Sequence, residues 1–137
     1  MHVGQELPHT LVHGDIIKTN VMRDNLGKIY IIDFSVANYY PRIQELAVFL
    51  CDVAFDKEHP ETFMDNYKLV LEEYRRNVSL TPFEASSLPL YVRTAHAMHV
   101  ICATYEKKAN NNYSIENQYF IDIGRAGLVF TAQLWNK

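Results

Sequence analysis

Three polar side chains near the N-terminus have the types and spacing to do chemistry together: Asp15, Asn20 and Asp33. Asp15 follows the apolar run at residues 10–13 and a glycine, so it sits on a turn able to present a carboxylate to a cleft. Asn20 lies five residues on and opens the next strand-like run, so one short loop displays both side chains. Asp33 ends the run Ile29-Tyr30-Ile31-Ile32, where an acid is poor strand chemistry unless something requires it. An antiparallel hairpin would return Asp33 to the loop that carries the other two. Two carboxylates and an amide converging there suit a hard divalent cation with oxygen ligands, typically Mg²⁺ shared with substrate phosphates. Phosphoryl transfer needs those parts: a metal to bridge phosphate oxygens and a carboxylate to orient the attacking hydroxyl. The bland alternative makes Asp15 a turn residue, Asn20 a cap and Asp33 an exposed strand end.

The elements that must hold these groups are marked by changes of period. Residues 20–22 and 28–32 are β-rich runs, and Arg23-Asp24-Asn25-Leu26-Gly27 between them reads as a hairpin turn. Beyond residue 40 the apolar period lengthens from two to about 3.6. Pro41 is expected at the first position of a helix carrying Ile43, Leu46, Ala47, Leu50 and Ala54. Pro60 is expected to open a second, with Phe63, Tyr67, Val70 and Tyr74 on one face. Thr81-Pro82-Phe83-Glu84 is a capping box with proline just inside, a strong helix start. Pro89 is expected to kink or restart that helix, residues 110–112 form a loop, and a last helix begins near Ser114. The fold class is α+β, mainly α: a small β-hairpin followed by four or five amphipathic helices. No repeat or linker divides the chain, so residues 1–137 read as a single domain, with the catalytic loop and hairpin at 11–40 and a helical subdomain at 41–137.

With these elements in place, His13-Gly14-Asp15, then Asn20, then Ile32-Asp33-Phe34 resembles the aminoglycoside phosphotransferase/choline kinase superfamily. Those enzymes are related to protein kinases, whose catalytic loop reads H-R-D-x4-N with D-F-G further on. Glu45-Leu46-Ala47 is similar to the acidic-Leu-Ala segment that follows in the family, and the helices beyond resemble those that end a kinase C-lobe; within the superfamily the chain looks nearest to homoserine-kinase-like members. The resemblance implies an ATP-dependent kinase acting on a hydroxyl of a small molecule, aminoglycoside-like or an amino-alcohol metabolite. It implies that Asp15 is the catalytic carboxylate, that Asn20 and Asp33 ligate Mg²⁺ with the ATP phosphates, and that His13 braces the loop. Gly14, in place of the protein-kinase Arg, favours a small-molecule acceptor. Family members also bind cationic acceptors through acids of the helical subdomain. That makes Asp52 and Asp56 acceptor-side candidates, although the acidic stretch to Glu61 reads equally as a solvated helix end. Tyr39, just after the metal loop, is a further candidate on the acceptor side.

Only twelve residues precede His13, so the chain holds neither a Gly-rich phosphate loop nor a strand with the Lys for the nucleotide. The expectation is a C-lobe without its N-terminal nucleotide lobe, inactive by itself. The alternative reading is a catalytically inactive, kinase-derived interaction module. Apolar surface that would face an N-lobe must be exposed, rearranged or buried against a second copy, so a homodimer is expected. The formal charge of −3 and the lack of a Lys/Arg stripe argue against nucleic acid as a partner. No run of eighteen apolar residues suggests a membrane span, and no signal peptide pattern opens the chain. Cys51 and Cys102 fall in separate helical patterns and are expected to be buried free thiols, pointing to a reducing, cytoplasmic setting. His96 and His99, at i and i+3, lack an evident third metal ligand and read as ordinary helix-face histidines.

Overall fold

The computed structural model describes residues 6–135. Its first third is built of short strands: β1 (His9–Val12), β2 (Val21–Arg23), β3 (Ile29–Ile31) and β4 (Asn38–Pro41). The rest is four helices, α1 (Ile43–Asp52), α2 (Phe63–Arg75), α3 (Pro82–Ala109) and α4 (Ile115–Trp135). The molecule is thus α+β and mainly helical, as its periodicity indicates.

The expected hairpin is β2–β3, antiparallel, with Val21 opposite Ile31 and Arg23 opposite Ile29. Asp24 builds its turn: Oδ1 accepts from the backbone N–H groups of Leu26 and Lys28, both at 2.9 Å, and Gly27 takes φ +84°. A second two-stranded sheet was not foreseen. β1 pairs antiparallel with β4, His9 opposite Pro41 and Val12 opposite Asn38. The partners lie about thirty residues apart, so neither strand betrays the other locally. This pairing moves Pro41 out of the helix expected to begin there. Pro41 ends β4, and Arg42, whose N–H donates to the Pro8 carbonyl at 2.9 Å, leads into α1. A residue without an N–H suits a strand end as well as a first helical turn, which is why the sequence signal misled.

The capping box at α3 forms as expected: the Thr81 hydroxyl accepts from the Glu84 N–H, and the Glu84 carboxylate from the Thr81 N–H. Glu84 is fully buried and also takes Arg42 in a bidentate pair, at 2.6 and 2.9 Å, tying the start of α1 to the start of α3. Pro89 neither stops nor restarts α3, which runs unbroken from 82 to 109. Leu88 and Val92 beside it are wholly buried, and their packing offsets the one helical hydrogen bond that proline removes. Residues 60–62 form a single 3₁₀ turn before α2 instead of the helix proper.

The core lies among the four helices, around Leu46, Leu50, Phe55, Phe63, Val92 and Ile123. α4 reaches α3 closely because it presents glycines. A Cβ on Gly124 would stand 2.7 Å from the His96 carbonyl oxygen, and one on Gly127 would stand 2.1 Å from the His96 ring. Cys51 is buried, but Cys102 is exposed, correcting the expectation of two buried thiols. Among the described residues no helix is long and apolar enough to cross a membrane.

Candidate active site

The chain turns sharply at residues 13–20, and four kinds of interaction hold that turn. Gly14 has φ +85°, and a Cβ there would come within 3.2 Å of the Val36 carbonyl oxygen. A left-handed backbone in a tight approach demands glycine, which gives the G of the His-Gly-Asp run a physical reason. His13, buried, uses both ring nitrogens: Nε2 donates to the Ile32 carbonyl at 2.9 Å, and Nδ1 accepts from the Asp15 N–H at 3.2 Å. Its partners fix the tautomer, since a carbonyl only accepts and an amide N–H only donates. One imidazole therefore joins the turn to the end of the hairpin just before Asp33, and the Phe34 ring packs edge-on to it at 4.4 Å.

α1 supplies the remaining support. Glu45 Oε2 accepts from the Gly14 N–H at 3.1 Å, and Asp52 Oδ2 from the Lys18 N–H at 2.7 Å. Seven residues is nearly two helical turns, so both acids share the face that meets the loop. Asp52 is 1% exposed and closes an apolar helix, the end at which an acid opposes the helix dipole. That misplaced charge was the sequence signal for its supporting role.

Asn20 is buried and donates from Nδ2 both to the Asp15 carbonyl and to Asp15 Oδ2, each at 2.9 Å. Its backbone carbonyl accepts from the Ile32 N–H at 3.0 Å, so the hairpin is pinned to the loop a second time. Asp33 follows at φ +64°, strained for a residue with a Cβ, its Oδ1 accepting from the Ser35 N–H at 3.2 Å. The structure thus brings Asp15 and Asn20 into contact and puts Asp33 within electrostatic reach of Asp15. Burial raises the Asp15 carboxyl above its ordinary value, with Asp33 adding in the same direction and the Asn20 amide, His99 and His13 opposing. Asp33, held by Ser35, is lowered and stays ionised. One carboxylate is shielded and hydrogen-bonded; the other is exposed and fully charged.

Asp15 and Gly14 line a cavity of about 500 Å³ walled by α1 and α3, with Ala47, Val48, Tyr91, Ala95 and Met98 among its lining. His99 also lines it, and its Nδ1 lies 3.4 Å from the Cys51 thiol, which His96 Nδ1 also meets at 3.3 Å. A thiol can donate to only one of them, so one ring accepts and the other donates. Burial depresses His96 to about 3 and lowers His99, the latter opposed by Asp52 and Asp15. His96 and His99 were legible as a helix-face pair, but their meeting on Cys51 was not, because α1 and α3 are far apart in sequence. Among the described residues no group of three or more His, Cys, Asp or Glu is placed to hold a metal.

None of the three acceptor-side candidates lines the cavity. Asp52 is buried against the loop, Asp56 accepts from the Glu58 N–H at 2.9 Å, and Tyr39 is exposed on β4, its ring stacked on His9.

The model of the phosphotransferase enzyme family matches residues 2–79, more than half of the chain. The chain belongs to that family. The match takes in the whole loop-and-hairpin site and both acids of α1 that support it. It stops before α3, so the second wall of the cavity lies outside the matched residues. Neither a curated protein nor a solved structure was found to match the chain.

Proposed function

We propose that this phosphotransferase chain is the catalytic C-lobe of an ATP-dependent kinase that phosphorylates an alcohol group on a small molecule. The observation that carries the reading is the commitment of the Asn20 amide nitrogen to Asp15. That bond turns Asn20 into a carbonyl-oxygen donor and fixes the carboxylate of Asp15 beside it. With the ionised Asp33, the oxygen set fits Mg²⁺, which prefers hard oxygen ligands and completes its sphere with waters and substrate phosphates. Asn20 and Asp33 would hold the ion, and its chemistry there is to neutralise charge on the phosphates of ATP.

Asp15 orients the acceptor hydroxyl and takes its proton as that oxygen bonds to the γ-phosphorus of ATP and the bond to the β,γ-bridging oxygen breaks, releasing ADP. A raised carboxyl suits that work, because a base works best with a pKa nearer the operating pH. His13 keeps the Asp15 N–H and the Ile32 carbonyl in register, so the loop and Asp33 move as one piece. The fixed geometry matters more than any covalent step, since phosphoryl transfer is mostly positioning and electrostatics.

The test joins the chain to a nucleotide-binding lobe and supplies ATP, Mg²⁺ and a panel of alcohols, with phosphate ester read by mass spectrometry. Ester should form, and Asp33→Ala should raise the Mg²⁺ concentration needed for half-maximal turnover. Failure to phosphorylate any alcohol under saturating ATP would overturn the reading.

The exposed apolar residues of the strand region favour a second reading, an interaction module. Leu26 is 94% exposed and Leu11 71%, with Ile29, Ile31 and Phe34 also open to solvent. Such a surface suits a covering partner, either a nucleotide lobe or a second copy of the chain. A homodimer predicts twice the monomer mass in solution, and a compact monomer would contradict it. A reducing, cytoplasmic setting fits the free thiols.

A further inference from the structure

The acceptor has so far been only an alcohol, and the cavity beside Asp15 narrows it further. On the α1 side the lining is Ala47 and Val48 with Gln44 at the edge; on the α3 side it is Tyr91, Ala95 and Met98 with Thr94 and His99. Apolar groups dominate, and Asp15 is the one acid in the lining. The neighbouring acids lie outside the lining. Asp52 holds the Lys18 N–H, Asp56 caps its own turn, Glu58 pairs with Lys57 and Glu61 with His59. Glu45 lies outside the lining, its Oε2 on the Gly14 N–H and its Oε1 buried without a hydrogen-bond partner. A smaller cavity of about 230 Å³ shares Asp15, His99 and Cys102 and has Glu106 on its wall, but both Glu106 oxygens accept from the Asn110 amide.

An ammonium entering the larger cavity would lose water and find no carboxylate in the lining except the one that must receive the hydroxyl. Burying a charge without a partner is costly, whereas apolar surface gains about 25 cal/mol per Å² on leaving water. A volume near 500 Å³ is that of an ordinary small-molecule site. Resting on the phosphotransfer reading above, we infer that the acceptor is a neutral, largely apolar alcohol seated between α1 and α3, and that it is not a polyamine or aminoglycoside. Its hydroxyl meets Asp15, its apolar body lies against Val48, Ala95 and Met98, and Gln44, Thr94 and Tyr91 offer hydrogen bonds to any second polar group.

Cys102 gives a readout that needs no turnover. It is exposed and lines the cavity, while Cys51 is buried and its thiol is pushed up by desolvation, so alkylation by N-ethylmaleimide reports Cys102. The probes are benzyl alcohol and cyclohexylmethanol against choline and kanamycin. The neutral alcohols should slow alkylation by about tenfold at about ten times their Kd, and the cations should leave it unchanged. Met98→Glu, at a half-exposed helix position, should reverse the order by giving choline or kanamycin a carboxylate. Thr94→Glu on the same wall serves if that variant does not fold. Protection of the native chain by kanamycin or choline in preference to the neutral alcohols would overturn the inference, as would protection by neither class. Protection by neutral alcohols, with no phosphate ester from the chain joined to a nucleotide-binding lobe, would instead sink the phosphotransfer reading and leave only the cavity's preference for neutral alcohols.

Discussion

The strand region before residue 42 and the helical region after it divide the labour of the molecule unequally. The strand region holds Asp15, Asn20 and Asp33 in its loops, two positive-φ positions in direct service of the site, and most of its apolar side chains in the open. Two-stranded sheets of three or four residues have little stability of their own. The helices hold the buried core, a capped and ion-paired α3 and a glycine-mediated contact of α4 with α3. They lend order to the site through a few bonds, chiefly from Glu45 and Asp52 to the loop. The candidate site is thus carried by a weakly self-supporting segment clamped onto a stable one. Changes in the helices should read out as stability, and changes at the site as function.

The largest effect on that comparison should come from Gly127→Ala. Its Cβ would meet the ring of a fully buried His96, so the substitution should cost about 3 kcal/mol despite alanine's better helix propensity. Urea denaturation would show it; an unchanged midpoint would mean that α3 and α4 are looser than the structure shows. Glu84→Ala should follow at about 2 kcal/mol, since it removes a cap and leaves Arg42, a quarter exposed, to rehydrate in part.

A third test uses pH. His96 is neutral in the fold, with its value depressed from 6.5 to about 3, and His99 is shifted the same way. The unfolded chain therefore binds these protons first on acidification. Stability should be fully present above pH ~6.5 and fall by about 1.4 kcal/mol per pH unit below it on account of His96, with His99 acting in the same direction. His96→Gln should flatten that slope between pH 6 and 5, as followed by thermal melts. The smallest effect should be Asp33→Gly. Relief of a left-handed backbone should leave stability unchanged or raise it by less than about 1 kcal/mol, while the Mg²⁺ concentration needed for half-maximal turnover rises. A marked fall in melting temperature would break the division of labour at its clearest point.

The same division explains what could be read from the sequence. The hairpin, the capping box and the helical periods are local signals, and each was legible. So was the gathering of Asp15, Asn20 and Asp33, because one loop and one hairpin carry all three. β4 was not, because it exists only through pairing with β1, and Pro41 carries the same local signature at a strand end as in a first helical turn. The clamp by Asp52 escaped for a similar reason. An acid near a helix end reads as solvated until its partner, the Lys18 N–H, is brought to it from 34 residues away. The acceptor cavity is also non-local, since its walls come from α1 and α3 and meet only in the packed fold.

The central claim is that the shielded carboxylate of Asp15 handles the acceptor proton. Its most direct test is turnover by Asp15→Asn in the chain joined to a nucleotide-binding lobe, with ATP and Mg²⁺ saturating. The account predicts a fall in kcat of about 10²–10⁴-fold, with KM for ATP and the melting temperature little changed. Near-normal turnover by a folded Asp15→Asn protein would contradict it.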